Sequence, residues 1–162
     1  MQSKVLPYKA LAGLTIGNWM IMGLSIAAVF AIGQPAKAIE NSDGFLMPSK
    51  NIACISHDSL DDARRETKIL RCEILSKLNP MPPQPKSCQF DWGNGFLLTK
   101  AARKAEILCV SDTMYSPEYP TLDYGKTWKK NGFSCQSRKN GLTCTNGKGN
   151  GFFLNREDWK AF

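Results

Sequence analysis

The chain contains one histidine, His57, and it is followed directly by Asp58. An imidazole beside a carboxylate can act as a general base if the fold adds a nucleophile or a metal. Asp91 and Asp112 are further carboxylates that could complete a small hydrolytic cleft with His57. Six cysteines, Cys54, Cys72, Cys88, Cys109, Cys135 and Cys144, could instead supply thiolates as nucleophiles or metal ligands. Each of these chemistries lacks a part. Gly-x-Ser-x-Gly does not occur. No Cys-x-x-Cys pair is present and there is a single histidine, so the spacing of a zinc site is missing. Asp91-Trp92-Gly93-Asn94-Gly95 offers a carboxylate and an aromatic face to a sugar or a cation, but not the regular series of oxygens that calcium requires. His57 therefore reads as a solvated loop residue, and neither a catalytic constellation, a metal site nor a cofactor is expected.

What positions these residues begins with the N-terminus. Lys4 and Lys9 precede an apolar run from Ala10 to Ile32, after which Gly33-Gln34-Pro35 break the helix and Ala36-Lys37-Ala38 follows. This is the layout of a secretory signal peptide over residues 1–38, cleaved after Ala38. The apolar run is also long enough to cross a bilayer, so an uncleaved anchor is the competing reading. Residues 39–162 would form one domain of 124 residues. Six cysteines in a small exported domain imply disulfides, and 15 pairings are possible. Sequence order and a duplicated pattern favour Cys54–Cys72, Cys88–Cys109 and Cys135–Cys144. Each closed loop of about 10 to 22 residues contributes roughly 3 kcal/mol in the chain-entropy description. Against a typical stability of roughly 5–15 kcal/mol, the bridges carry much of the fold.

The duplicated pattern is Gly93-Asn94-Gly95-Phe96-Leu97-Leu98 against Gly149-Asn150-Gly151-Phe152-Phe153-Leu154, each copy preceded by a pair of cysteines. It reads as a cross-linked hairpin followed by a glycine turn and another strand. Strands are expected over 52–56, 68–74 and 106–110, and over 133–137 and 142–145 with a type I′ turn at Asn140-Gly141 between them. Asn131-Gly132, Asn94-Gly95, Asn146-Gly147 and Asn150-Gly151 are further turns or bulges. His57–Thr67 is highly charged and reads as a loop or a single helical turn, and the prolines of 79–86 as a stiff extended connector. Asn155 can cap a short helix running to Phe162. The fold class is mainly β: a disulfide-stapled curved sheet or open barrel of two related hairpin units, with one or two short helices.

Charge is unevenly spread. The chain has a formal net charge of +7, and loss of Lys4, Lys9 and Lys37 with the signal would leave about +4. From Tyr124 onward there are eight cations (Lys126, Lys129, Lys130, Arg138, Lys139, Lys148, Arg156, Lys160) and two anions (Glu157, Asp158), with Trp128, Phe152, Phe153 and Trp159 interleaved. Clustered cations attract polyanions, and aromatic faces add stacking and cation–π contacts. The expected binding set is Trp128, Lys129, Lys130, Arg138, Lys139 and Lys148, with Trp128 the aromatic contact. The bland alternative is a core of aromatics with solvated turn lysines.

In order along the chain, Pro48-Ser49-Lys50-Asn51-Ile52-Ala53-Cys54, Leu70-Arg71-Cys72-Glu73-Ile74 and Cys88-Gln89-Phe90-Asp91-Trp92-Gly93 form three anchors. Gly132-Phe133-Ser134-Cys135, Gly141-Leu142-Thr143-Cys144-Thr145-Asn146 and Gly151-Phe152-Phe153-Leu154 form three more. Together they resemble a family of exported bacterial cysteine-rich domains of unknown function, over about residues 45–162. The charged segment between Cys54 and Cys72 is longer here than in that family. The resemblance implies export, to the periplasm or beyond, and a bridged fold, and it supplies no catalytic or binding residues. The functional expectation is a non-catalytic exported module binding an acidic polysaccharide, a cell-wall polymer or an acidic protein. An inhibitor-like protein presenting the 79–86 or 57–67 segment is the alternative, and a small hydrolase using His57, Asp91 or Asp112 a third. Nucleic acid is a poor partner because an exported domain seldom meets it and no binding motif is present. A membrane would be met only through an uncleaved N-terminal segment.

Overall fold

The computed structural model describes residues 42–60 and 66–162. The segment read as a signal peptide or anchor, and the centre of the charged segment after Leu60, lie outside the described residues. Ten strands run in chain order: β1 (Gly44–Leu46), β2 (Ile52–Leu60), β3 (Glu66–Ile74), β4 (Asp91–Thr99), β5 (Glu106–Val110), β6 (Thr127–Lys130), β7 (Phe133–Arg138), β8 (Gly141–Asn146), β9 (Gly151–Leu154) and β10 (Trp159–Ala161). They form two antiparallel meanders, β1-β2-β3-β4-β5 and β6-β7-β8-β9-β10, that do not close into a barrel. No helix occurs among the described residues.

Register explains how the two sheets meet. In the first, Phe45 lies opposite Cys54, Cys54 opposite Cys72, Cys72 opposite Phe96 and Phe96 opposite Ile107. In the second, the matching row is Trp128, Cys135, Cys144, Phe152 and Ala161. The rows face each other across a shared core. The rings of Phe45 and Trp128 are 5.2 Å apart, and those of Phe96 and Phe152 stack at 4.8 Å with planes 17° apart. Between them lie the disulfides, with the sulfurs of Cys54, Cys72 and Cys144 within 4.8 Å of one another. All three are oxidised, in Cys54–Cys72 and Cys135–Cys144, so no thiolate is left to ligate a metal; the third bridge is Cys88–Cys109.

The glycines repeated in both halves have a steric reason. A Cβ on Gly95 would lie 1.9 Å from the Cys72 carbonyl oxygen, and one on Gly151 would lie 1.9 Å from that of Cys144. Only a residue without a side chain lets β4 and β9 approach the bridged strands this closely.

Local chemistry differs from the sequence expectation at four places. The type I′ turn is at Asn131-Gly132, where both residues have positive φ (53° and 84°) and Lys130 pairs with Phe133. In the β7–β8 hairpin the loop is Lys139-Asn140, and Gly141, at φ 146°, is already in β8, where a Cβ would strike the Leu154 carbonyl at 2.8 Å. His57 is on a strand, opposite Ile69, because β2 continues to Leu60. Asn155 caps a turn and no helix: its Oδ1 accepts from the amides of Glu157 and Asp158, and the chain then enters β10, where Trp159 packs on Phe96.

Candidate functional site

Three turns and one loop converge at one end of the second sheet. They are the β1–β2 turn, the loop entering β6, the β7–β8 turn and the β9–β10 turn, and between them lies a cleft of about 380 Å³. That volume is within the range of small-ligand sites. Arg138, Lys139 and Arg156 line it together with Tyr124, Asn51 and Asn155. The three cations are exposed, and Tyr124 is 41% exposed. Glu157 is the one acidic side chain on the lining.

The walls are tied to one another. Asn155 Nδ2 donates to the Asn140 carbonyl at 2.8 Å, joining the two hairpin turns. Gly125 N donates to the Ser137 carbonyl and Ser137 N to the Lys126 carbonyl, which fixes the Tyr124 loop beside β7. Lys50 Nζ donates to Thr121 Oγ1 at 2.6 Å, and Asn51 Nδ2 to Ser76 Oγ at 3.0 Å. Arg138 Nε donates to Gln136 Oε1. Guanidinium and ammonium groups on such fixed turns can pair with carboxylate or phosphate oxygens, and the phenol can stack on a ring.

The residues expected to form one binding surface are divided. Arg138 and Lys139 join the cleft. Lys130 and Lys148 lie at the opposite end of the β7–β8 hairpin, roughly 17 Å away at about 3.4 Å per residue. There Lys130 pairs with Asp43, and Lys148 Nζ lies 3.4 Å from the Ala101 carbonyl. Lys129 is exposed on β6. Trp128 cannot be the aromatic contact: it is wholly buried against Phe45, and its Nε1 donates to the Ser42 carbonyl. Tyr124 and Arg156 line the cleft beside Arg138 and Lys139, and sequence reasoning left both out of the expected binding set. Arg156 was visible only as one cation among eight, and Tyr124 carried no signal.

The second polar constellation is on the outer face of the first sheet. Arg71 and Glu73, two residues apart on β3, are each 7% exposed. Arg71 Nη2 lies 2.7 Å from Glu73 Oε1 and also donates to the Asp112 carbonyl at 2.6 Å. Glu73 in turn accepts from Thr113 Oγ1 at 2.5 Å and from the Met114 amide at 2.8 Å. A buried ion pair is held here by hydrogen bonds to the segment that follows β5. Burial raises the pKa of Tyr119 in that segment, with the charges of Glu73 and Asp43 adding to the effect. His57 is nearby, and its pKa is lowered, first by burial and then by Arg71, against a smaller opposing pull from Asp58. His57 Nδ1 is buried without a hydrogen-bond partner, and Asp112 is engaged by Arg71. The hydrogen bonding does not assemble His57 and Asp112 into a dyad, and Asp91 stands apart at the start of β4.

No curated protein and no solved structure matches the chain. A family match does extend over residues 24–162, covering both sheets, all three disulfides and the basic cleft. The chain therefore belongs to DUF6636, a family of unknown function.

Proposed function

We propose that this protein is an exported, non-catalytic module that binds an anionic polymer, such as an acidic polysaccharide, in the cleft formed by Arg138, Lys139, Arg156 and Tyr124. The observation that carries this reading is the convergence of three exposed cations and an exposed tyrosine on one concave site. Three disulfides in a domain of this size accord with an oxidising compartment and hence with export. A periodic polyanion would engage several cations at once, and the cleft is open enough to admit an internal stretch of chain. Affinity for immobilised polygalacturonate should fall steeply between 50 mM and 500 mM NaCl, because exposed charges are screened within about 10 Å at 0.1 M. Dextran, a neutral polymer, should not compete. Salt-independent binding, or no binding at 50 mM NaCl, would rule the reading out.

One observation supports the inhibitor-like alternative. Leu75, Met81 and Phe90 are 59%, 50% and 57% exposed on the segment that Cys88–Cys109 pins in place. A rigid apolar loop of this kind can enter another protein's site at low entropic cost. Saturable inhibition of a lysozyme-like enzyme or a protease, lost on Met81→Asp, would favour this reading over polymer binding.

A further inference from the structure

The two facing core rows end differently. At the β1 and β6 end the large rings of Phe45 and Trp128 close the space between the sheets. At the β5 and β10 end the rows finish in the smaller Ile107 and Ala161, and a groove of about 430 Å³ remains open between the two edge strands. Trp92 and Trp159 flank it, and Lys104 and Glu106 are exposed on its rim.

Both indoles are fixed by the proline-rich connector. Trp92 Nε1 donates to the Pro82 carbonyl at 3.0 Å, and Trp159 Nε1 to the Pro80 carbonyl at 2.7 Å. Trp159 also packs against Phe96, with ring centroids 5.7 Å apart. With their N–H groups already satisfied, the rings have only their faces to offer a ligand. Two rigid aromatic faces over a floor of small aliphatic side chains suit a flat ligand with an apolar surface. The rim selects further by charge complementarity. One ammonium and one carboxylate side by side match a neutral ligand that both donates and accepts hydrogen bonds, and they disfavour a strongly charged one. An added peptide strand fits less well. β10 is three residues long and β5 five, so the backbone on either side of the groove offers only a short edge to pair with.

We infer that the groove between β5 and β10 is a glycan-binding site, in which Trp92 and Trp159 stack on the C–H faces of pyranose rings while Lys104 and Glu106 hydrogen-bond their hydroxyls. A linear β-1,4-linked glycan presents such faces alternately on either side and carries hydroxyls along both edges. The site does not depend on the basic cleft, because its ligand is uncharged and its contacts are stacking and hydrogen bonds.

Titration of the oxidised protein with cellohexaose and with chitohexaose, followed by tryptophan fluorescence, tests the inference. At least one should give a saturable change whose midpoint moves less than twofold between 50 and 500 mM NaCl. The Lys104→Ala/Glu106→Ala variant alters only exposed side chains and so should keep its fold. It should bind at least tenfold more weakly, and Trp92→Ala likewise. Arg138→Gln/Lys139→Gln should bind as the native protein does. The assignment is overturned if neither oligosaccharide gives a saturable change, or if the change survives in Lys104→Ala/Glu106→Ala. It is equally overturned if sedimentation shows a dimer that Glu106→Arg dissociates, which would give the groove to a second copy of the chain.

Discussion

Substituting Gly151 by alanine should be far more damaging than substituting Gly149, two residues earlier in the same turn. Gly151 has Thr145 opposite it in β8, and on its other side its amide and carbonyl both bond Phe162, at 2.6 and 2.8 Å. Its φ is not in the left-handed region, so space alone decides the cost. A Cβ there would be 1.9 Å from the Cys144 oxygen, where ordinary contact begins at 3.4 Å. β9 would have to withdraw by about 1.5 Å from a strand anchored by the Cys135–Cys144 bridge. Overpacking costs roughly 1–3 kcal/mol, and each backbone bond stretched in the withdrawal about 0.5–1.5 kcal/mol more. The expected loss is about 3 kcal/mol or greater. Gly149 has φ 80° and nothing within 4 Å of the place a methyl group would take, so its alanine variant meets only left-handed backbone strain of about 1–2 kcal/mol. The two losses differ by about 1–2 kcal/mol, so at a slope of about 1–3 kcal/mol per M urea unfolding of the oxidised proteins should place the Gly151→Ala midpoint roughly 0.5 M or more below that of Gly149→Ala. Equal midpoints, or a Gly151→Ala loss under about 1 kcal/mol, would refute the close approach of β9 to the bridged hairpin.

Other outcomes follow from the same geometry. Glu73→Ala leaves Arg71 buried without its carboxylate and should cost roughly 3–5 kcal/mol, whereas Asp112→Ala, at an exposed carboxylate, should stay within about 1 kcal/mol in the same unfolding assay. The folded state disfavours the charged form of His57, so the unfolded chain binds more protons as pH falls from about 6.5 toward the lower folded pKa. Stability should therefore decline over that window and be fully retained above it; NMR titration of the single imidazole should give a pKa below 6.5, and His57→Gln should flatten the slope. Complete reduction should remove roughly 3 kcal/mol per bridge, so a reduced protein whose urea midpoint matches that of the oxidised form would contradict the role given to the disulfides.

Much of the framework was legible because it rests on local pattern. The paired cysteines of each repeat located the cross-linked hairpins β2–β3 and β7–β8, and the glycine repeated before Phe96 and Phe152 marked the strands that approach the bridges. Of the edge strands, β5 was legible over its full span, Glu106–Val110, but β1 and β10 were not. β1 and β10 are three residues each, too short to carry a period. The N-terminal signature at Asn155 misled because an asparagine turn and a helix cap use the same side-chain oxygen on the same amides. What decides between them is tertiary: Trp159 gains the ring of Phe96, and Lys160 pairs with Phe153. Trp128 misled for the opposite reason. Its neighbour Lys129 is on the exposed face of a strand whose other face is core, which a period of two does not reveal over four residues. The cleft was half legible, since Arg138 and Lys139 adjoin in sequence, while Tyr124 and Arg156 arrive through loops set by the fold.

The most direct test of the anionic-polymer reading compares two variants of equal charge loss for affinity to polygalacturonate at 50 mM NaCl. Arg138→Gln/Lys139→Gln/Arg156→Gln neutralises the cleft, and Lys100→Gln/Lys129→Gln/Lys148→Gln removes three exposed cations elsewhere. At roughly 0.5–1 kcal/mol per cation, the cleft variant should lose about 30-fold in affinity and the other less than about threefold. Equal losses would show that net charge, and no particular site, draws the polymer, and would contradict the account.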